Sequence, residues 1–289
     1  MTHRNLLLCG GLQSSGSTLF SWCFLQRHDT DGVLDSSNDC LFVFPADLPA
    51  APFLWCKTTI ACFRFRHVRC FYEDAGFSVR PLLVARDVRS VFRSLVTKDY
   101  GRNGVTAEDP PLRMRFRRFK EDWEEFRAAG WPIVTYESLV EQPETTLREA
   151  CRGLDLPWDP AMMTWPKKRE DLAFPINGNP TFLRSLSSDL VSSIQPDMAG
   201  IRADGIAAED LRWLEEEFRD YNVAHGYPLE VARTPGASPA TPSFEVTHRA
   251  DAARYEEQVQ EHYKRTEEHF KRVGEQNASL IEERARLAE

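Results

Sequence analysis

Two stretches combine residue types that grip anions. In the first, the apolar run Asn5–Cys9 leads into Gly10, Gly11, Ser14, Ser15, Gly16, Ser17 and Thr18 before helix-forming residues resume. Glycines let successive backbone N–H groups turn toward one point, and a helix N-terminus adds partial positive charge there. Such a nest suits a phosphate, and the hydroxyls of Ser15, Ser17 and Thr18 add donors. In the second, the apolar run Arg80–Ala85 ends in Arg86-Asp87, and Ser94 follows eight residues beyond Arg86. Eight residues is a little over two helical turns, so a guanidinium fork and a hydroxyl face one region, suited to a second phosphate. Arg-Asp pairs at strand ends are also common structural ion pairs.

The spacing from Gly11 to Gly16 matches the nucleotide P-loop, G-x-x-x-x-G-K-[ST], but Ser17 stands where that pattern has lysine. Without a lysine over the β- and γ-phosphates, an ordinary ATPase or GTPase is disfavoured.

Positioning these groups needs strands that end beside one another. Asn5–Cys9, Arg80–Ala85 and Pro132–Thr135 read as buried parallel strands. Helix-like stretches follow each, at Thr18–Gln26 (read as amphipathic), Val88–Thr97 and Thr145–Arg152. Repeated strand–helix units predict an α/β fold, a doubly wound parallel sheet flanked by helices, with its P-loop-like phosphate loop at the carboxyl ends of the strands. Residues 1–230 form this domain. Residues 231–245 are rich in Pro, Ala and Thr and read as a linker, and 246–289 as one long helix. Ala252, Val259, Thr266, Val273, Leu280 and Leu287 recur every seven residues there, a coiled-coil seam through which copies of the chain could associate. His262, His269, Gln276 and Glu283 make its second position weak, so a lone solvated helix stays an alternative.

Composition bounds the partners. The 289 residues carry a net charge of −8, which argues against general nucleic-acid binding, while basic islands at Arg64–Arg69, Arg113–Lys120 and Lys167–Arg169 fit an anionic ligand in a cleft or solvated helix faces. Seven cysteines show no close C-x-x-C pair, which disfavours a zinc site; several sit in apolar stretches as core residues. No segment approaches the ~20 apolar residues that cross a bilayer, and the run Leu6–Cys9 is too short for a signal-peptide core. The expectation is a cytoplasmic protein with reduced thiols.

Together the two anion motifs resemble those of the sulfotransferases that use 3′-phosphoadenosine-5′-phosphosulfate (PAPS). Ser14-Ser15-Gly16-Ser17-Thr18-Leu19-Phe20 resembles that family's 5′-phosphosulfate motif, and Arg86-Asp87-Val88-Arg89 through Ser94 its 3′-phosphate motif. Trp55-Cys56-Lys57-Thr58, Ile133 through Pro143, Gly153 through Pro157, Asn177-Gly178-Asn179-Pro180 with Arg184, and His225-Gly226-Tyr227-Pro228 are similar to further family segments, so the likeness runs from about residue 4 to 228. It implies that Arg86 and Ser94 hold the 3′-phosphate, that Ser14, Ser15, Gly16, Ser17 and Thr18 hold the 5′ end, and that Asn179 and Arg184 cover the nucleotide. Ser14 departs from the Lys or Arg usual there, so either a cation arrives from elsewhere or the site is weakened. Val88 replaces a proline.

The resemblance further implies a metal-free, in-line sulfonyl transfer from PAPS to an acceptor hydroxyl or amine, leaving adenosine 3′,5′-bisphosphate. Lys57 would stabilise charge on the departing oxygen, and Asp35 would be the general base, with Asp39 and His67 as alternatives. The acceptor would be a small molecule or carbohydrate. Arg64, Arg66 and Arg69, interleaved with Phe63, Phe65 and Phe71, either line its pocket or form one face of a helix, and Tyr100–Pro111 reads as a specificity loop. Two rivals remain: an ATP-using P-loop phosphotransferase, and a non-catalytic nucleotide-binding module on a coiled-coil scaffold.

Overall fold

The apolar runs become parallel strands because each is buried on both sides. The computed structural model describes residues 4–34, 50–61, 63–97, 112–172, 188–194 and 200–229. The linker, the C-terminal helix, the loop Tyr100–Pro111, and Asp35, Asp39, Asn179 and Arg184 lie outside these residues.

Five strands form one sheet: β1 (Arg4–Gly11), β2 (Thr30–Val33), β3 (Phe53–Thr59), β4 (Phe77–Ala85) and β5 (Ile133–Thr135), in the order β2-β3-β1-β4-β5. All pairings are parallel, with Cys9 opposite Lys57 and Gly11 opposite Val84 on the two sides of β1. The chain therefore passes from one side of β1 to the other between β3 and β4. That change of direction opens a crevice at the carboxyl ends of the central strands, where ligands bind in such sheets.

Helices cover both faces. Leu6, Leu8, Leu54, Cys56 and Leu83 face one core layer, and Leu7, Cys9, Trp55, Leu82 and Val84 the other, the period-two alternation of a strand. The first layer is closed by α2 (Phe65–Asp74), α3 (Val88–Thr97), α4 (Leu112–Ala129), α9 (Ala208–Glu217) and α10 (Arg219–His225). The second is closed by α1 (Ser17–Leu25), α5 (Tyr136–Glu141), α6 (Pro143–Gly153), α7 (Ala161–Thr164) and α8 (Leu190–Ser193). The fold is the expected doubly wound α/β sheet.

Two details differ from the sequence reading. β2 and β3 are additional strands. Helix α1 is not amphipathic: every residue in it except Thr18 is buried. Phe24 stacks on Trp55 with ring centroids 4.4 Å apart, and Trp22 meets Trp165 edge-on at 6.3 Å, so α1 is sandwiched between the sheet and the segment after α7. Lys167 completes that burial, donating from Nζ to the carbonyls of Leu25 at 2.9 Å and Thr30 at 2.8 Å just past the helix end.

The described cysteines are free thiols; Cys9, Cys23, Cys56 and Cys151 are buried and Cys70 is exposed. Among the described residues, no helix is long and apolar enough to cross a membrane.

Candidate functional site

The loop after β1 turns on two residues with left-handed backbone, Ser14 (φ 64°) and Gly16 (φ 85°). Ser15 N–H closes the turn on the Leu12 carbonyl at 3.1 Å, and the Gly16 carbonyl accepts from Leu19 N–H at 2.9 Å to start α1. Gly16 has no substitute: a Cβ there would lie 2.2 Å from the Tyr136 ring. Ser17 and Thr18 head α1, where backbone N–H groups point out of the helix end. Ser15 Oγ, on a residue only 1% exposed, is buried without a hydrogen-bond partner.

Arg86, at the tip of β4, reaches directly into this loop. Its Nη1 donates to the Ser14 carbonyl at 2.9 Å, and its guanidinium lies 4.2 Å over the Tyr136 ring. Its Nε is buried with no partner. The Arg86 end of the second motif is thus in contact with the loop, with Tyr136 packed against both Gly16 and Arg86.

Asp87 serves the scaffold. Both its oxygens are taken by Arg89, with Nη2 to Oδ2 at 2.5 Å, and its Oδ1 also accepts from Arg89 N–H and Ser90 N–H at the start of α3. The chain's return through α10 locks the same tip. Tyr221 Oη accepts from Arg86 N–H at 3.1 Å and donates to the Arg86 carbonyl at 2.8 Å. Arg89 Nη1 donates to the Pro228 carbonyl at 2.8 Å. Glu137 accepts from Asp87 N–H at 3.1 Å and from Tyr227 Oη at 2.7 Å, and burial pushes its carboxyl above the usual range. Ser94 is half-buried on α3, one turn beyond Ser90, whose hydroxyl accepts from Arg202 N–H at 2.9 Å.

Lys57 comes from the other side of β1. It is 8% exposed, and its Nζ donates to Thr18 Oγ1 at 3.1 Å. Its register neighbour Cys9 keeps its proton, since burial pushes that thiol up to about 12 and the thiol gives Lys57 no counter-charge.

Sequence reasoning missed Arg115. On α4, 4% exposed, it donates from Nη1 to Gln13 Oε1 at 2.5 Å, in the loop itself. The basic island Arg113–Lys120 was the signal, but spacing alone does not separate its members. Arg113 pairs with Asp210 at 2.7 Å, Arg117 is exposed, and Arg118 donates to the Ala61 carbonyl.

The other basic islands resolve structurally. Arg64 pairs with Asp122 and Glu121, both at 2.9 Å, and Arg69 lies 4.6 Å over Trp131, while Phe65, Val68 and Tyr72 bury the opposite face of α2. Of the two readings left open for this stretch, the structure shows the amphipathic helix. His67 sits exposed in the first turn of α2, with its pKa lowered by partial desolvation and by Arg66, Arg64 and Arg118.

Residues 37–160 match the model of the sulfotransferase family. The matched span includes Lys57, Arg86, Ser94 and Tyr136, and begins after the phosphate loop. Solved sulfotransferase structures share low identity with it. A sulfotransferase domain from the curacin biosynthetic pathway gives a TM-score of 0.49 at 13% identity, covering 80% of this chain and 100% of that one. The sulfotransferase domain of the Synechococcus PCC 7002 olefin synthase gives 0.46 at 16% identity, covering 76% and 96%. Mouse sulfotransferase SULT7A1, complexed with PAP, gives 0.44 at 9% identity, covering 78% and 88%. No curated protein matches.

Proposed function

We propose that this chain is a sulfotransferase that transfers the sulfonyl group of PAPS to a hydroxyl or amine of a small-molecule or carbohydrate acceptor. The observation that supports the reading is the 2.9 Å bond between Arg86 and Ser14, which joins the tip of β4 to the loop after β1. The residues fit a doubly phosphorylated adenosine: an orphaned Ser15 hydroxyl and an orphaned Arg86 Nε lie buried at the cradle. The loop passes Tyr136 where no Cβ would fit.

Gly16, Ser17 and Thr18 would hold the 5′ end through backbone N–H groups and hydroxyls, joined by Ser14 and Ser15. Arg86 and Ser94 would hold the 3′-phosphate, with Asn179 and Arg184 covering the nucleotide. PAPS brings the activated sulfonyl group, which passes to the acceptor by in-line displacement. Lys57, held against Thr18, places a buried positive charge beside the 5′ cradle, where negative charge grows as the nucleotide departs. Asp35 would take the acceptor's proton, with Asp39 and His67 as alternatives. Asp35→Asn should abolish transfer, and near-normal turnover would move that role to one of the other two.

The ATP-dependent alternative would draw on Asp87 for magnesium, yet that carboxylate is engaged by Arg89 and the α3 N-terminus. A thermal-shift comparison tests the choice of nucleotide. PAPS and adenosine 3′,5′-bisphosphate should raise the melting temperature where ATP and GTP do not. Stabilisation by ATP with magnesium, and none by either adenosine bisphosphate, would replace this reading with the phosphotransferase.

A further inference from the structure

Neither ladder of β4 reaches Arg86. The pairs with β1 end at Val84 and those with β5 at Ala85, while α3 begins only at Val88. The Arg86 N–H and C=O are instead both taken by one group, the Tyr221 hydroxyl, which accepts from the first at 3.1 Å and donates to the second at 2.8 Å. A hydroxyl carries one donor and two acceptor sites, so it can satisfy both at once. That requires an N–H and C=O pointing to the same side, as in an extended residue and not in a helical one. Tyr221 thus fixes Arg86 as the last extended residue before the helix. The Tyr221 ring is fully buried and meets Phe119 and Trp123 of α4 edge-on, with centroids 5.7 and 5.2 Å away, so the hydroxyl has a rigid mount. Burial and the nearby Glu137 push its pKa above the usual tyrosine range, and it keeps the proton it donates. From this anchored backbone the Arg86 Nη1 reaches the Ser14 carbonyl, and the guanidinium lies over Tyr136.

We propose that Tyr221 is a positioning residue for the 3′ end of the nucleotide: by clamping the Arg86 backbone it aims the guanidinium, and so sets the preference for a nucleotide that carries a 3′-phosphate. The inference rests on the nucleotide reading above, in which Arg86 holds that phosphate, and deepens it. The Tyr221 hydroxyl is spent on the backbone, so it acts through Arg86. Docking of α10 therefore completes a site that β1 and β4 begin.

The test is calorimetric titration of adenosine 3′,5′-bisphosphate and adenosine 5′-monophosphate into the full chain and its variants. Tyr221→Phe keeps the buried ring and removes the hydroxyl alone. It should weaken the bisphosphate by about three- to tenfold, the worth of a net hydrogen bond, and leave the 5′-monophosphate unchanged. Tyr72→Phe is the control for a lost buried hydroxyl: that hydroxyl meets Cys56 Sγ at 3.3 Å, and both affinities should keep their wild-type values. Adding Tyr221→Phe to Arg86→Ala should cost no further bisphosphate affinity, because the clamp works through that side chain. Hydrogen exchange on the unmutated chain needs no variant: the Arg86 amide should be protected although it lies past both ladders. An unchanged ratio of the two affinities in Tyr221→Phe, the same selective loss in Tyr72→Phe, additive losses in the double variant, or free exchange at the Arg86 amide would overturn the assignment while leaving the nucleotide reading intact. A wild-type chain that binds the two probes equally would overturn both.

Discussion

The Arg86 guanidinium donates to the Ser14 carbonyl at 2.9 Å while lying 4.2 Å over the ring of Tyr136. One side chain thus fixes the tip of β4 to the loop after β1, and steadies the left-handed backbone at Ser14, a conformation that costs a non-glycine residue roughly 1–2 kcal/mol. Arg86→Ala should weaken adenosine 3′,5′-bisphosphate binding by about 1.5–3 kcal/mol, and Ser94→Ala by about 0.5–1.5 kcal/mol. Arg86→Lys should not restore affinity, because an ammonium can neither fork nor stack in this way. Calorimetry reads both, and full affinity in the lysine variant would show that the position needs only a charge.

Lys57 touches the loop at Thr18, which sets its charge beside the start of α1. Lys57→Ala should lower turnover by roughly 3–4 kcal/mol of transition-state stabilisation, with a much smaller loss of nucleotide affinity. Steady-state kinetics alongside direct binding separates the two quantities. Equal losses in both would make Lys57 a binding residue alone.

Gly16 meets two constraints at once, a φ of 85° and a Tyr136 ring 2.2 Å from where a Cβ would be. Gly16→Ala should lower stability by about 2–4 kcal/mol, combining the backbone strain with overpacking against the ring. Urea unfolding measures this. If Gly16→Ala retained wild-type stability and nucleotide affinity, the loop could not have the conformation described.

His225 provides a pH-dependent term. Its Nε2 accepts from Trp123 Nε1–H at 2.9 Å, so the ring must stay neutral at that atom, and burial with the nearby Arg127 lowers its pKa from 6.5 to about 4. The unfolded chain takes up a proton near 6.5 while the folded one resists it. The contribution of this histidine is therefore complete above about pH 6.5 and is lost as pH falls toward 4. The loss should reach roughly 2–3 kcal/mol. His225→Gln, whose amide oxygen can accept from Trp123, should flatten stability across that window. An unaltered pH profile in this variant would assign the acid sensitivity elsewhere.

The sequence revealed those parts of the fold whose signal is local. β1, β4 and β5 are short continuous apolar runs, and α3 begins where an aspartate can cap it. β2 was hidden because Thr30–Val33 is four residues long with Asp31 in it, an edge strand whose place comes from pairing with β3. β3 carries Lys57 and Thr58 in its second half, which breaks the apolar pattern; Lys57 tolerates burial because it meets Thr18. The anion motifs were legible as residue types at set spacings. Their junction was not, since Arg86 and Ser14 are far apart in the chain and only the strand order brings them together. Arg115 was one of several arginines in a row, and helix geometry alone selects which of them turns toward Gln13.

The most direct measurement of the central claim compares three ligands by calorimetry on the wild-type chain: adenosine 3′,5′-bisphosphate, adenosine 5′-monophosphate and adenosine 3′-monophosphate. Two neighbouring cradles gripping one nucleotide predict that the bisphosphate binds at least about tenfold more tightly than either monophosphate, the worth of one further charged phosphate contact. Equal affinity for all three, or for the bisphosphate and just one monophosphate, would contradict it.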